Sequence, residues 1–451
     1  MTDQQVTALP AYEIARRVRD GELTAVEVAQ AHLERIQALE PKVRAFQYLR
    51  RAEILAEATT LDARRDRSEL LLAGVPVAIN DDIAIAGIPT RHGSAATSER
   101  PAVADDEIVA RLRAAGALII GSTQMAELGV WPFTEPAAYL APGNPWQPAH
   151  TPGGPSGGAA AAVAAGMAAL AVGSDGGGGV RVPASCCGLF GLKPTPGVVP
   201  PTSDNTGHWY GLTAFGPFGR TVADVGLALD TLAGSFLYRD PAPPRESLRI
   251  AYDPHHPARS ALVAPEIHKA AKDAATALRD AGHIIIADHP PYPVDLNVRF
   301  TRRWLAGITA DVAGLPAERL ERRTRTMARR GRRAKWRVKP VASDSFGGTM
   351  QEWFSRYDLL LTPTLSRSPV PIGTWSKGCL KPMIGVANWV YTTPWNVAGL
   401  PAASIPYGLD PEGLPIGIQL IAAPGAEATI LSVAAQLEQL SPWPALAPLS
   451  A

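Results

Sequence analysis

Apolar positions recur at helical spacing over the first part of the chain. Ile14, Val18, Val26, Ala29, Leu33 and Ile36 fall on one face with Arg and Glu between them, which predicts helix from Ala11 to Phe46. Thr24, followed three residues later by Glu27, has the form of a capping box and marks a helix start. A second amphipathic helix fits Ala52 to Arg65. The pattern then changes period. Val75 to Ile79 is a continuous apolar run after a Gly and reads as a buried strand. A helix at Ile108 to Ala115 leads into a similar run at Ala117 to Ile120, and an Ala-rich helix at Gly158 to Gly166 leads into Ala169 to Val172. Further strands are expected at Leu248 to Ala251, His283 to Ile286, Leu359 to Leu361, Ala402 to Pro406 and Pro415 to Ile421, with a last helix at Ala426 to Leu437. Strands alternating with helices in this way predict an α/β sheet covered by helices on both faces.

At 451 residues the chain fits one large α/β domain. Within it a helical N-terminal region runs to about residue 70. The Pro-rich stretch Pro241 to Pro244 reads as a linker into a subregion spanning about 240 to 345. A formal net charge of +1 predicts neither a nucleic-acid nor a membrane partner. The most apolar window, Gly157 to Val172, is too short to span a bilayer. Three Cys argue against a disulfide framework and fit a reducing compartment, so a cytoplasmic location is expected. Cys186 and Cys187 are adjacent, which is not a metal-ligand spacing, and neither a metal nor a cofactor is expected. Glu321 to Lys339 carries ten basic side chains, Lys335 and Arg337 among them. A solvated helical face is the favoured reading, and an anion site is the alternative.

The chemistry-bearing segment lies in the centre. It runs from Thr151 through Pro155, Ser156 and Gly158, then through Gly173-Ser-Asp-Gly-Gly-Gly-Gly-Val-Arg-Val-Pro183, and on to Thr195. Consecutive glycines let several N–H groups point into one space, a nest that binds an anion or a carbonyl oxygen. With these motifs the chain resembles the amidase-signature family. Gly74-Val-Pro-Val-Ala-Ile-Asn-Asp81, Asn144-Pro-Trp146, Gly216-Pro-Phe-Gly-Arg-Thr-Val-Ala-Asp224, Thr362-Pro-Thr364, Asn396-Val-Ala-Gly-Leu-Pro-Ala402 and Gly413 to Leu420 follow the family's pattern along nearly the whole chain. The resemblance implies a mixed central sheet, a small-molecule substrate and a homodimeric tendency.

It also implies a catalytic Lys, a bridging Ser and a nucleophilic Ser. Those positions correspond here to Asn80, Pro155 and Gly179, none of which can act as base or nucleophile. The family's bridging Ser follows a cis peptide, which costs a non-proline residue roughly 2.5–4 kcal/mol. Pro tolerates cis, so Gly154–Pro155 is expected to be cis. The N–H groups of Gly176, Gly177, Gly178 and Gly179 are expected to hold a carbonyl oxygen, and Asp175 and Arg181 to support the loop.

Candidate new chemistry lies next to these positions. Asp81 corresponds to a structural Asp of the family. Asp82 can be a base with a raised pKa or a strand-end hydrogen-bonding residue. Arg91 can clamp a carboxylate and His92 can move protons, although a solvated loop His is the commoner case. Ser156 follows the bridging position, while Trp131, His208, Trp209 and Tyr210 are candidates for the substrate entrance. The leading expectation is a non-hydrolytic enzyme for cyclisation, condensation, elimination or rearrangement. The alternatives are a non-catalytic binder and an amide hydrolase with a nucleophile relocated to Ser156, Ser174 or Cys186.

Overall fold

The computed structural model describes the chain except residues 202–206, 259–260, 334–337, 377, 379 and 450–451. Lys335 and Arg337 of the basic stretch lie outside the described residues. The strands are β1 (Phe46–Leu49), β2 (Pro76–Asn80), β3 (Leu118–Thr123), β4 (Leu170–Asp175), β5 (Phe190–Lys193), β6 (Ala214–Gly219), β7 (Arg249–Tyr252), β8 (Ile284–Ala287), β9 (Leu359–Pro363), β10 (Ala402–Leu409) and β11 (Pro415–Ile421). They form one 11-stranded sheet in the order β1-β3-β2-β4-β6-β5-β10-β11-β9-β7-β8. Parallel pairs (β2 with β3 and β4, β7 with β8 and β9) flank a central run of antiparallel ones, so the sheet is mixed. The two strands of the 240–345 subregion, β7 and β8, extend one edge of this sheet beyond β9.

Local sequence accounts for most of these elements. The Thr24–Glu27 capping box is formed, and it starts a helix at Ala25–Val43. The helical stretch expected from Ala11 to Phe46 is two helices, because Gly21 takes a left-handed conformation (φ 75°) and ends the first at Asp20 before the second starts after Thr24. Phe46 then enters the edge strand β1 instead of ending a helix. The Gly157–Ala164 helix is buried on every side, and its alanines let it lie close against the sheet. β5 and β6 were not expected, since their Gly and Pro read as loop. Pro217 is tolerated in β6 because β5 pairs only with Phe218 and Gly219, leaving no ladder on that side of Pro217.

The topology fixes where a site can form. β2 and β4 run parallel side by side, with Ile79 opposite Val172, so their carboxyl ends open at the same place. Asp82 lies just beyond one end and the glycine run just beyond the other. The antiparallel β6 brings its amino end there too, with Ala214 opposite Asp175. Carboxyl ends of adjacent strands in an open α/β sheet are where ligands bind. Among the described residues, no helix is long and apolar enough to cross a membrane.

Candidate functional site

A cavity of about 380 Å³ opens at this point of the sheet. Its floor carries Asp82, His92, Pro155, Ser174, Gly176, Gly177 and Gly179. Its walls are largely apolar, with Leu128, Val130, Trp131, Phe300, Trp304 and Met383 prominent. Trp304 meets Trp131 edge-on, with ring centroids 5.8 Å apart, and stacks with Phe300 at 6.5 Å. A pocket of this kind, apolar with a few convergent polar groups, is the usual form of a small-molecule site.

The glycine loop is shaped by one buried ion pair. Asp175 accepts N–H bonds from Gly178 (2.7 Å), Val180 (3.2 Å) and Arg181 (3.4 Å). It also takes the Arg181 guanidinium through Nε (2.9 Å) and Nη2 (2.8 Å). Burial alone would favour the neutral carboxyl, but the Arg181 charge and its hydrogen bonds outweigh it and lower the Asp175 pKa to about 2. Arg181 reaches further, to the Thr392 carbonyl, Asn396 Oδ1 and Gln419 Oε1, tying the loop to two distant segments. Both residues thus support the loop, as their position implied. Gly178, at φ 132°, turns its N–H to Asp175 and away from the cavity, unlike the expectation for all four glycines. Gly176, Gly177 and Gly179 line the cavity.

The other predicted residues divide between cavity and scaffold. Gly154–Pro155 is cis, as expected. A Cβ placed on Gly179 would collide with the Ser174 carbonyl oxygen and lie 2.7 Å from Pro155 Cδ, so Pro155 occupies the space a side chain would need. Asp81 faces inward from the cavity. Its carboxylate accepts the N–H groups of Arg91 (3.1 Å) and Gly93 (3.0 Å), and burial raises its pKa to about 7. Arg91 does not reach the cavity, because its guanidinium is committed to the Ser94 carbonyl (3.2 Å), Thr97 Oγ1 and Glu99 (3.3 Å). A substrate clamp at Arg91 is therefore not formed. His92 lines the cavity at a left-handed φ of 50°. Ser156 is fully buried at the start of the Gly157–Ala164 helix, against Gly173 and away from the cavity. Cys186 is likewise buried outside it, with its thiol raised well above its ordinary pKa by burial. Trp131, His208 and Trp209 line the cavity, whereas the left-handed turn that carries Trp209 takes Tyr210 out of the wall.

Ser174 stands out. Its Oγ donates to Asp82 Oδ2, while Asp82 Oδ1 accepts from Asn80 Nδ2 at 2.7 Å. Asn80 is fully buried, and among the described residues its Oδ1 has no donor. The Asn80 amide therefore orients a carboxylate, which in turn holds a serine hydroxyl at the cavity floor.

The chain matches known proteins along nearly its whole length. A family model described as Amidase matches residues 27–431. The chain belongs to the amidase family. A putative amidase, AmiB2, of Mycobacterium tuberculosis is 40% identical over 446 residues, covering 95% of each chain. An acylamidase of Rhodococcus erythropolis is 32% identical, covering 98% of each. Among solved structures, a 6-aminohexanoate cyclic dimer hydrolase complexed with substrate has a TM-score of 0.88 at 30% identity, covering 98% of this chain and 99% of that one. The mixed sheet flanked by helices is thus the amidase-signature fold.

Proposed function

We propose that this amidase-family chain hydrolyses small, largely apolar amides with Ser174 as nucleophile and Asp82 as its base. The observation that carries the reading is the Ser174–Asp82 hydrogen bond at the cavity floor, beside the glycine N–H groups. Ser174 Oγ attacks the carbonyl carbon and its proton passes to Asp82. Negative charge on the carbonyl oxygen meets the N–H groups of Gly176, Gly177 and Gly179. Asn80 holds the carboxylate in place through its second oxygen. The amine leaves, and water then cleaves the acyl-serine. The names of the relatives, an acylamidase and a cyclic dimer hydrolase, support hydrolysis of an amide. The family's Lys and two Ser stand replaced by Asn80, Pro155 and Gly179, so this is a hydrolase with a relocated nucleophile. A carboxylate is a weaker base than a neutral amine or an imidazole, so amides with good leaving groups, such as anilides, are the expected substrates.

The tight closure around Gly179 favours a second reading, in which the cavity performs non-hydrolytic carbonyl chemistry or only binds its ligand. Cleavage of an anilide panel separates the two. Ser174→Ala and Asp82→Asn should each lower kcat/KM on the order of a hundredfold or more. Unchanged rates in both variants would remove Ser174 from the chemistry. A wild-type protein that cleaves nothing in the panel would favour the second reading.

A further inference from the structure

A second chain of proton-handling groups lines the same cavity. His208 sits between a hydroxyl and a carboxylate: Nδ1 lies 2.8 Å from Thr213 Oγ1, and Nε2 lies 3.4 Å from Asp311 Oδ1. All three residues line the cavity. Each partner is itself held. Asp311, the last residue of the Leu296–Asp311 helix, accepts Trp209 Nε1 at 2.7 Å on its other oxygen. The His208 ring stacks on Trp209, with centroids 4.9 Å apart. Thr213 directly precedes β6, whose register places it beside the glycine loop, and a Cβ on Gly176 would lie 3.0 Å from its Oγ1. Trp209 and Tyr210 both have left-handed backbones (φ 50° and 60°), a conformation concentrated at functional sites.

We propose that Asp311, His208 and Thr213 form the proton relay for the leaving amine. The proposal rests on the reading of Ser174 as nucleophile. Both Asp82 oxygens are already engaged, one by Ser174 and one by Asn80. Asp82 keeps the Ser174 proton for the return step, so the departing amine draws on a second donor. As the C–N bond breaks, its electron pair stays on nitrogen, which takes the Thr213 hydroxyl proton. Thr213 is reprotonated from His208 Nδ1, and the imidazolium, until then held by Asp311, becomes neutral. In the second half, water attacks the acyl-serine and passes a proton to Thr213, whose own proton returns to His208. The ester C–O bond breaks and Ser174 recovers its proton from Asp82. The sum is amide plus water giving acid plus amine.

The test compares an anilide with a nitrophenyl ester of the same acyl group. Nitrophenolate leaves without protonation, so in acylation, the half-reaction that kcat/KM reports, only the amide needs the relay. In His208→Gln and Thr213→Val, the ratio of amide to ester kcat/KM should fall on the order of a hundredfold. Thr213→Ser, which restores the hydroxyl, should recover most of it. If these groups only latch the 208–213 segment to the Leu296–Asp311 helix, both substrates slow alike, and an unchanged ratio overturns the relay. A wild-type protein that cleaves the ester but not the amide overturns the relay while leaving Ser174 as nucleophile. A protein that cleaves neither overturns both.

Discussion

Asp81 and Asp82 are neighbours in sequence with opposite tasks. Asp82 stands at the cavity floor with Ser174, whereas Asp81 is enclosed and serves the backbone of Arg91 and Gly93. Burial raises Asp81 from the ordinary 3.8 to about 7. A carboxyl with a raised folded pKa favours the protonated protein, so its cost is absent below about pH 4, grows through the interval and is complete above about pH 7. Stability should therefore fall as pH rises across that window. Asp81→Asn should make the fall in Tm shallower, although Glu40 and Glu438, also raised to about 7 by burial, keep part of it. Thermal melts at pH 5 and 7.5 measure this, and an equal slope in the variant would contradict it. Sequence alone marks both aspartates as candidates. It cannot say which one faces the cavity, because strand alternation fails once the chain leaves β2.

The glycine loop is the element on which the site depends. Its course is set by Asp175 and Arg181, and three of its four glycines face the cavity. Two have large side chains pressed against them: a Cβ on Gly176 would lie 2.8 Å from Trp209, and one on Gly177 2.8 Å from Phe300. The walls of the cavity thus reach the space that side chains would fill. At Gly179 the obstruction is Pro155 and the Ser174 carbonyl. Gly179→Ser should therefore destabilise the protein by about 1–3 kcal/mol through overpacking. Pairing it with Pro155→Ser should relieve part of the loss. Urea unfolding of the two variants gives the comparison, and a Gly179→Ser variant as stable as the parent would show that the loop accommodates a side chain.

At the scale of the whole molecule, the long-period patterns were legible and the juxtapositions were not. Apolar runs located β2, β3, β4 and β7 to β11, and the glycine run located a loop that lines the cavity. β5 and β6 were hidden by Gly and Pro, whose tolerance depends on where pairing stops in the sheet. The cis Gly154–Pro155 bond was legible because one residue type favours it. Ser174 with Asp82, 92 residues apart, was not, because the parallel pairing of β2 with β4 creates that contact. Thr213, Asp311 and His208 likewise meet only when a helix and a strand end converge. Arg91 was overestimated, since its nearest partners, Ser94, Thr97 and Glu99, lie within its own loop.

The central claim is that Ser174 forms a covalent acyl intermediate, and fluorophosphonate labelling with intact mass and peptide mapping tests it most directly. A single adduct is expected on the peptide containing Ser174, lost in Ser174→Ala and reduced in Asp82→Asn. An adduct on any other residue, or none on a protein that cleaves amides, would contradict it.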